Sequence, residues 1–268
     1  MNLRFGFIGA GNMGGSLAKA AAKAMNPENI TLADQQTEKA VALAAQLGCN
    51  TASTTQVAET CDFIFLGVKP QVMGAMLADI APVLAARKDP FVLVSMAAGV
   101  CIADIRKMAG GDYPLIRIMP NIPASVGSGV ILYDITDNVA AEAVEAFRHA
   151  MQHAGLVDPL PEKLIDAGSA LSGCGPAFVS LFVEALADGA VACGLPRDKA
   201  LAYAAQTVAG SAKMLLDTGM HPGQLKDAVC SPGGSTIMGV NALEEGGFRA
   251  CAMDAVIAAY EKTLDLGK

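Results

Sequence analysis

The sequence predicts a doubly wound α/β domain with a parallel sheet, followed by an all-α domain. In the first half, short unbroken apolar runs alternate with helical segments, which is typical of parallel strands covered on both faces. In the second half, apolar residues recur at three- and four-residue steps, and no convincing strand is found. Because 53% of the residues are hydrophobic and 17% charged, the chain can bury a sizeable core. We predict domains at residues 1–158 and 159–268.

The first half reads as strands and helices in alternation, which indicates βαβ units. LRFGFIG, ITLAD and CDFIFLGV predict strands, with MGGSLAKAAAKAM and TEKAVALAAQLG as helices between them. FVLVSMAAGV and PLIRIMP continue the strand pattern, and VGSGVILYDI predicts an added strand. DNVAAEAVEAFRHAMQHAG then predicts a last long helix that ends at Gly155.

Two prolines in DPLPEKLIDAG interrupt this pattern, and the remaining segments all predict helices. They are SGCGPAFVSLFVEALADGAVACG, LPRDKALAYAAQTVAGSAKMLLDTG, HPGQLKDAVC, STIMGVNALEEGG and FRACAMDAVIAAYEKTLDLG. Together they carry many Ala, Val, Met and Leu residues and few charges, more apolar surface than a domain of this size can hide alone. We therefore expect an obligate homodimer through the helical domain, or a larger symmetric homo-oligomer.

Charge and cysteine content argue against several classes of protein. The net charge is −7, and no basic stripe is present to bind nucleic acid or an anionic membrane surface. The 7 cysteines show neither CxxC pairing nor metal-ligand spacing, so we expect no metal. The N-terminus leaves no room for a signal peptide, and glycines and a proline interrupt the uncharged stretch 167–183 before it reaches a spanning length. We expect a cytoplasmic protein.

A glycine-rich turn after the first strand carries the clearest motif of the first half. Gly9, Gly11 and Gly14 form GxGxxG between a strand and a helix, the context that confirms a dinucleotide-binding Rossmann turn. The first glycine allows the tight turn, the second lets the pyrophosphate approach, and the third packs the helix on the strand. The helix N-terminus supplies N–H groups for the anion. The predicted contacts to NADP(H) or NAD(H) are Ile8, Gly9, Ala10, Gly11, Asn12 and Met13.

Asp34 ends the second predicted strand, where an acidic side chain can accept hydrogen bonds from the adenosine ribose. This favours NAD, because a carboxylate repels the 2′-phosphate of NADP. Gln35, Gln36, Thr37 and Lys39 could instead bind that phosphate, and Asp34 could serve only at the start of the next helix. We predict Asp34 and Gln35 as cofactor contacts and leave the choice between NADPH and NADH open.

Two further turns follow predicted strands. Because ligands of open α/β sheets lie outside the carboxyl ends of the strands, both turns should face the cofactor. A Val-Lys-Pro turn at such a place could contact ribose or phosphate, although a solvated Lys69 is nearly as plausible. The predicted contacts are Val68, Lys69, Pro70, Met96, Ala97 and Ala98.

None of the three histidines, and no lysine of the second half, stands out as a strong proton donor. His149 and His153 lie on an amphipathic helix, and His221 precedes Pro222 as a helix-start residue. The lysines of this half lie on charged helix faces. The chemistry therefore needs no strong acid, or it takes its proton from water.

The segment LKDAVCSPGGSTIMGVNALEEGGFR, with LSGCGPAF upstream and GFIGAGNMG at the start, resembles pyrroline-5-carboxylate reductases. The motifs VKP, SMAAGV, RIMPNIPA, LSGCGPAF, AKMLL, HPGQLKD and SPGGST follow the family's order over essentially the whole chain. SPGGST before an apolar helix is the most specific of them, whereas GAGNMG alone indicates only a dinucleotide.

The resemblance implies a Rossmann domain and a helical dimerisation domain that interlocks with a second subunit. It also implies reduction of L-1-pyrroline-5-carboxylate to L-proline by NADPH or NADH, the last step of proline biosynthesis. A C=N bond is far more basic than a ketone, so its nitrogen can be protonated without a strong enzyme acid. The work of the protein is then mainly positioning and electrostatics.

The resemblance also implies the substrate site. Backbone N–H groups at Gly233, Gly234 and Ser235 would hold the substrate carboxylate with help from the Ser231 hydroxyl. Thr236 would be the catalytic residue, hydrogen-bonded to the ring nitrogen, although it could serve only as a helix N-terminal residue. Cys174 is expected to pack rather than to act as a nucleophile.

Two departures from the family put cofactor preference in question. Ala228 stands where many relatives have asparagine, and Asp34 replaces a hydroxyl or arginine common in members that prefer NADPH. The sequence argues against two other functions. A β-hydroxyacid dehydrogenase would need a lysine early in the first long helix of the second domain, and AFVSLFVEALADGA offers none. A dinucleotide sensor without turnover would need no SPGGST segment.

Overall fold

The computed structural model describes residues 3–266, which divide into two compact units. Residues 3–173 and 260–266 form the α/β unit, and Cys174–Ala259 form the helical unit. The domain border near residue 158 stays a prediction.

One eight-stranded sheet organises the α/β unit, in the order β3-β2-β1-β4-β5-β6-β7-β8. Strands β1 to β6 are parallel in the order 3-2-1-4-5-6, which is that of a Rossmann sheet, so the predicted fold class is confirmed. The strands are β1 (Phe5–Ile8), β2 (Ile30–Ala33), β3 (Asn50–Thr51), β4 (Phe63–Leu66), β5 (Val92–Ser95), β6 (Leu115–Met119), β7 (Gly129–Ile135) and β8 (Gly155–Pro159).

Seven α-helices belong to the same unit and connect or cover the strands. They are α1 (Asn12–Ala24), α2 (Thr37–Leu47), α3 (Thr54–Thr60), α4 (Pro70–Ala86), α5 (Ile102–Ala109), α6 (Ala141–Met151) and α7 (Glu162–Ser172). Two short 3₁₀ turns cover Pro27–Asn29 and Ile122–Val126.

The far edge of the sheet differs from the sequence prediction. The added strand β7 is present and antiparallel to β6, but the helix predicted to reach Gly155 ends at Met151. Gly155 instead begins β8, which pairs in parallel with β7. Gly155 has φ +134°, and a Cβ there would collide with the backbone of Gly129. The close approach of the two strands therefore requires glycine, and the helical prediction was wrong at this point.

The sheet is buried on both faces, which explains the unbroken apolar runs. On one face Phe5 stacks on Phe63 with ring centroids 4.5 Å apart, and Phe7 stacks on Phe65 at 4.3 Å. On the other face a second cluster contains fully buried Ile64 and other side chains of β4, α3, α4 and α5. Because successive residues of a strand point to opposite faces, both sets must be apolar.

The helical unit has almost no buried core of its own. Its helices are α8 (Gly175–Ala192), α9 (Arg197–Thr218), α10 (Pro222–Val229), α11 (Ser235–Glu245) and the first part of α12 (Phe248–Leu266). The only cluster of buried residues here is Ala187, Ala200 and Ala204. Large apolar side chains stay exposed, with Leu181 at 68% and Leu216 at 82%. Within the described residues, no strand follows Pro159.

The apolar stretch before residue 192 is longer than we expected. By length and composition Glu162–Ala192 could cross a membrane, so the expectation that it falls short was wrong on this criterion. The stretch contains two helices, α7 and α8. Helix α7 buries Ile165 completely, in a cluster with Met119 and Leu132 of the sheet. Helix α7 therefore packs one side against the sheet, while Leu164 and Leu171 on it stay exposed.

Candidate active site

The predicted cofactor residues of the α/β unit meet at one edge of the sheet. Strands β2, β1, β4 and β5 are consecutive parallel neighbours, so their carboxyl ends lie side by side. Ile8 and Leu66 end β1 and β4, where the strand order reverses. In open α/β sheets this switch point is where ligands bind. All four predicted turns lie along this edge.

The three glycines of the first turn have distinct structural reasons. Gly9 has φ +106°, and a Cβ there would collide with the Gly67 carbonyl oxygen. A Cβ at Gly14 would collide with the Gly9 carbonyl oxygen, so α1 packs directly on the turn. A Cβ at Gly11 would meet no protein atom within 4 Å. Gly11 is therefore free of any packing requirement, and its surface is open to close approach by a ligand.

The turn and α1 together fit a dinucleotide pyrophosphate. Gly11 is the N-cap of α1, and no side chain caps this helix end. Asn12 and Met13 begin the helix, so the first backbone N–H groups point out of its N-terminus. The helix dipole adds a partial positive charge there, which suits a phosphate.

Asp34 lies directly beside this turn. Its Oδ2 accepts a hydrogen bond from the Ala10 N–H at 2.7 Å, and its Oδ1 accepts one from the Gln36 N–H at 2.8 Å. Helix α2 begins at Thr37 with Gln36 as its N-cap, so Asp34 is not the cap residue. The carboxylate links the end of β2 to the glycine turn, and Gln35 next to it is exposed.

Lys69 occupies the N-cap of α4, and Pro70 is the first residue of that helix. The Lys69 side chain is exposed and makes no ion pair within residues 3–266. A cation at a helix N-terminus is disfavoured by the helix dipole. An anion bound nearby would offset that penalty.

The turn after β5 is held at both ends. Ala97, buried, donates its N–H to the Ser95 hydroxyl at 3.4 Å. At the other end Ile102 donates its N–H to Glu162 Oε1 at 2.8 Å. Met96 and Ala98 lie between these points. Nothing in the sequence indicates the Glu162 contact.

A cleft of about 590 Å³ opens over the glycine turn, and its walls combine Lys39, already a candidate for phosphate binding, with residues that the sequence did not single out. Lys19 of α1 and Lys39 of α2 both line it, as do Ile122 and Ser125 of the second 3₁₀ turn. Two cations in one cleft suit an anionic ligand. Lys19 lies one helical turn after Ser16, which also lines the cleft. Because residues three apart share a helix face, this spacing could have indicated from the sequence that Lys19 faces the cleft.

In the helical unit, residues 231–234 form a tight turn before α11. The Gly234 N–H donates to the Ser231 carbonyl at 3.0 Å, with Pro232 and Gly233 as the central residues. Gly233 has φ +67°, as the third residue of a type II turn requires. The proline and the first glycine of SPGGST therefore build the turn itself.

The turn presents backbone donors at the start of α11. Gly234 is the N-cap of that helix, and no side chain caps it. The N–H of Gly234 is engaged within the turn, whereas those of Gly233, Ser235 and Thr236 have no acceptor among the described residues. Ser231 and Thr236 are exposed, and the Ser231 hydroxyl lies beside Gly234. The arrangement can bind a small carboxylate without a charged side chain.

The remaining candidates show structural contacts. His221 is the N-cap of α10, and its Nδ1 accepts from the Gly223 N–H at 3.1 Å, which confirms the helix-start prediction. His149 Nε2 lies 3.1 Å from the Ala24 carbonyl oxygen. Cys174 is the N-cap of α8. Within residues 3–266, no group of three His, Cys, Asp or Glu side chains is arranged to hold a metal ion.

Two family models match the chain, one in each half. Residues 162–266 match pyrroline-5-carboxylate reductase dimerisation, and residues 4–99 match NADP oxidoreductase coenzyme F420-dependent. The first match covers the helices with exposed apolar side chains, and it bears out the prediction of a homo-oligomer. The second covers the glycine turn, Asp34, Lys69 and the turn after β5.

Curated and solved relatives extend over the whole chain. A pyrroline-5-carboxylate reductase of Methanosarcina acetivorans is 41% identical over 270 residues, which is 100% of this chain and 99% of the relative. The structure of a pyrroline-5-carboxylate reductase from Coxiella burnetii covers 100% of both chains, with 31% identity and a TM-score of 0.93. A pyrroline carboxylate reductase of Plasmodium falciparum, solved with NADP bound, is 33% identical, covers 100% of this chain and 99% of its own, and has a TM-score of 0.86. On this evidence the chain belongs to the pyrroline-5-carboxylate reductase family.

Proposed function

We propose that this chain reduces L-1-pyrroline-5-carboxylate to L-proline with NADPH or NADH, the last step of proline biosynthesis. The observation that carries the proposal is the turn of residues 231–234 with its free backbone donors at the start of α11. That turn lies within the residues that match the family's dimerisation model. A protein that only sensed a dinucleotide would have no use for it.

The α/β unit is proposed to hold the cofactor. The N-terminus of α1 and the Gly11 backbone would bind the pyrophosphate, with Asp34 and Gln35 at the adenosine ribose. Val68, Lys69 and the turn after β5 would contact the remaining part of the dinucleotide. When bound, the nicotinamide supplies the hydride that reduces the C=N bond.

The helical unit is proposed to hold the substrate. The N–H groups of Gly233 and Ser235, with the Ser231 hydroxyl, would bind the carboxylate at the start of α11. Gly234 would not donate to the carboxylate, because its N–H is already bonded to the Ser231 carbonyl oxygen. Its contribution would be the absence of a side chain. We therefore assign Gly234 to the turn's shape and close substrate approach rather than to donation.

Thr236 is proposed to orient the reacting bond. Its exposed hydroxyl, in the first turn of α11, would hydrogen-bond the ring nitrogen of the substrate. A cyclic imine is basic enough to arrive protonated or to take its proton from water, so a threonine suffices where a ketone would demand a stronger acid. The contribution of the chain is then orientation and electrostatic stabilisation.

Assembly and location follow from the same proposal. We propose that the chain works as a homodimer or a larger homo-oligomer through its helical unit, in the cytoplasm, without nucleic acid or a membrane. The exposed apolar side chains of α8 and α9 support the assembly. The net charge of −7 supports the absence of nucleic acid and anionic lipid.

The test is steady-state oxidation of NADPH and of NADH with pyrroline-5-carboxylate, measured side by side. Rapid turnover with either cofactor is expected, and the ratio of the two kcat/KM values shows which is preferred. Cofactor binding without turnover would contradict the proposal and favour a sensor. Proline plus NAD⁺ at high pH serves as a control, because the reverse reaction must run on the same enzyme.

A further inference from the structure

Arg117 is a charged residue in the middle of a buried strand. It lies on β6 and is only 3% exposed, between Ser95 of β5 and Asp134 of β7 in the strand register. A buried guanidinium is costly unless carboxylates pair with it. The cofactor and substrate contacts proposed above give this residue no role.

Helix α7 supplies the two partners. Arg117 Nη1 lies 2.9 Å from Glu162 Oε1, and Nη2 lies 3.3 Å from Asp166 Oδ1. The carboxylates lie one helical turn apart, and their side chains are similarly exposed, at 30% and 31%. Arg117 Nε has no partner, so the guanidinium depends on these two contacts.

Glu162 does more than compensate this charge. The Oε1 atom that meets Arg117 also accepts the Ile102 N–H at 2.8 Å. The Glu162 backbone N–H donates to Asp134 Oδ2 at 2.6 Å. The Glu162 backbone is thus tied to the sheet through Asp134, while its carboxylate joins the buried Arg117 to the Ile102 N–H. Asp166 has no contact of this kind with the turn after β5.

Ile102 ends the turn that carries Met96, Ala97 and Ala98. At its start the turn is held by the weak bond from Ala97 to Ser95. Within it the Val100 N–H reaches the Ala97 carbonyl at 3.5 Å, the outer limit of a hydrogen bond. The Glu162–Ile102 bond is charge-assisted and much shorter, so it is the firmest anchor of this turn.

We propose that Glu162, held in place by Arg117, is a positioning residue for the cofactor. Its carboxylate fixes the turn of residues 96–102 so that Met96, Ala97 and Ala98 keep the geometry that hydride transfer needs. The inference rests on the proposed function, because that function assigns this turn to the dinucleotide.

The experiment compares Glu162→Ala, Glu162→Gln and Asp166→Ala in the full chain. The Ala variants remove one carboxylate each from Arg117, but only the first releases Ile102. Three kinds of measurement are made on each variant. They are fluorescence titration for the Kd of NADPH and NADH, steady-state kinetics for kcat and the KM of the cofactor, and hydrogen exchange of the backbone amides of residues 96–102.

Glu162→Ala is expected to raise the cofactor Kd and to lower kcat, the two effects combined amounting to about tenfold or more. Hydrogen exchange of the Ile102 amide is expected to become faster. Glu162→Gln keeps an acceptor oxygen. Its cofactor Kd and the protection of its Ile102 amide from exchange are therefore expected to lie close to those of the unmodified chain. Asp166→Ala should stay within about twofold of the unmodified chain in Kd. If Glu162→Ala and Asp166→Ala have equal effects, the two carboxylates act only by compensating the charge of Arg117. That result would overturn the proposal.

Two further outcomes are informative. If Glu162→Ala fails to fold, Glu162→Gln still tests the proposal. An Ile102 amide that stays protected from exchange while the cofactor Kd changes would contradict positioning through the Glu162–Ile102 bond. If the unmodified chain shows no turnover, the proposed function fails, whereas cofactor Kd and exchange still test the role of Glu162. An unchanged Kd and unchanged exchange in Glu162→Ala would refute that role alone.

Discussion

The backbone N–H of Ala10 donates to Asp34 Oδ2 at 2.7 Å, so a fixed negative charge lies against the turn that is proposed to bind the pyrophosphate. The second oxygen of this carboxylate accepts from the Gln36 N–H, and the side chain therefore cannot rotate away without breaking both bonds. Lys39 nevertheless lines the adjoining cleft. We therefore expect a carboxylate and an ammonium group to have opposite effects on cofactor preference.

Replacing Asp34 tests this competition. In Asp34→Ser the charge is removed, and we expect the ratio of kcat/KM for NADPH over that for NADH to rise about tenfold or more, because repulsion of the 2′-phosphate is relieved. Lys39→Ala should shift the ratio in the opposite direction. The measurement is initial-rate kinetics with each cofactor at saturating substrate. If the ratio of the two kcat/KM values is unchanged in Asp34→Ser, the adenosine ribose of the cofactor does not contact this residue.

Gly11 and Gly14 allow one chemical change to be compared in two settings. Gly11→Ala adds a Cβ that meets no protein atom, so we expect near-normal thermal stability and a cofactor Kd raised about tenfold or more. Gly14→Ala drives its Cβ into the Gly9 carbonyl oxygen, so we expect a lowered Tm as well. Differential scanning calorimetry and cofactor titration separate the two effects. Equal Tm losses would show that Gly11 also has a packing role.

Thr236→Ala is expected to lower kcat by roughly 10²-fold while the cofactor Kd stays near normal. The reason is that the hydroxyl is proposed to orient the substrate nitrogen, whereas the cofactor is assigned to the α/β unit. Thr236→Ser, which keeps the hydroxyl, is the matched control and should retain most of the turnover. Full activity in Thr236→Ala would remove this residue from the mechanism.

The central strands could be predicted because parallel strands covered on both faces must be apolar throughout, and Phe5, Phe7 and Ile64 follow that rule. Strand β8 was missed because its residues are largely exposed and Gly155 looks like a helix end. The glycine turn and its neighbours were located correctly at the sheet edge, since that placement depends on local order along the chain.

The Arg117 network could not be derived in the same way. Its contacts join residues 45 and 49 positions apart, and nothing local in α7 selects Glu162 over any other exposed acid. One signal was available: Arg117 interrupts the apolar run PLIRIMP, and a charge inside a buried strand requires a carboxylate partner. The identity of that partner is settled only by the packing of α7 on the sheet.

Assembly can be tested on the groove between α8 and α9. This groove is lined mainly by apolar and small residues, among them Leu181 and Leu201, with Glu184 as its one charged residue. Leu181→Glu would place a second charge in the surface proposed to be covered by a second subunit. We expect the unmodified chain to elute well above its 27.3 kDa mass, and the variant to dissociate or aggregate. Val41→Glu, an exposed position on α2, should leave the oligomer intact. Light scattering that finds a monomer without substitution would contradict the assembly.

The buried thiol of Cys61 is expected to lower the free energy of unfolding at alkaline pH. Burial raises the pKa of its thiol, so the folded chain keeps a proton that the unfolded chain releases above the ordinary thiol pKa of about 8.5. The unfolded state then binds fewer protons, and the free energy of unfolding falls as pH rises through that range. Urea unfolding at pH 7 and 9.5 should show a smaller fall in Cys61→Ala than in the unmodified chain. Cys193→Ala, at an exposed position, should show the same fall as the unmodified chain.

Three alanines make up the buried cluster of the helical unit, and such a cluster contributes too little apolar burial to offset the entropy of ordering five helices. We therefore expect folding of this half to be coupled to association, so that its stability depends on how much protein is present. Dilution should act on it as a denaturant does: the unfolding midpoint should rise with total chain concentration, and refolding should slow as the chain is diluted. The α/β unit, which encloses its own core, should respond to neither.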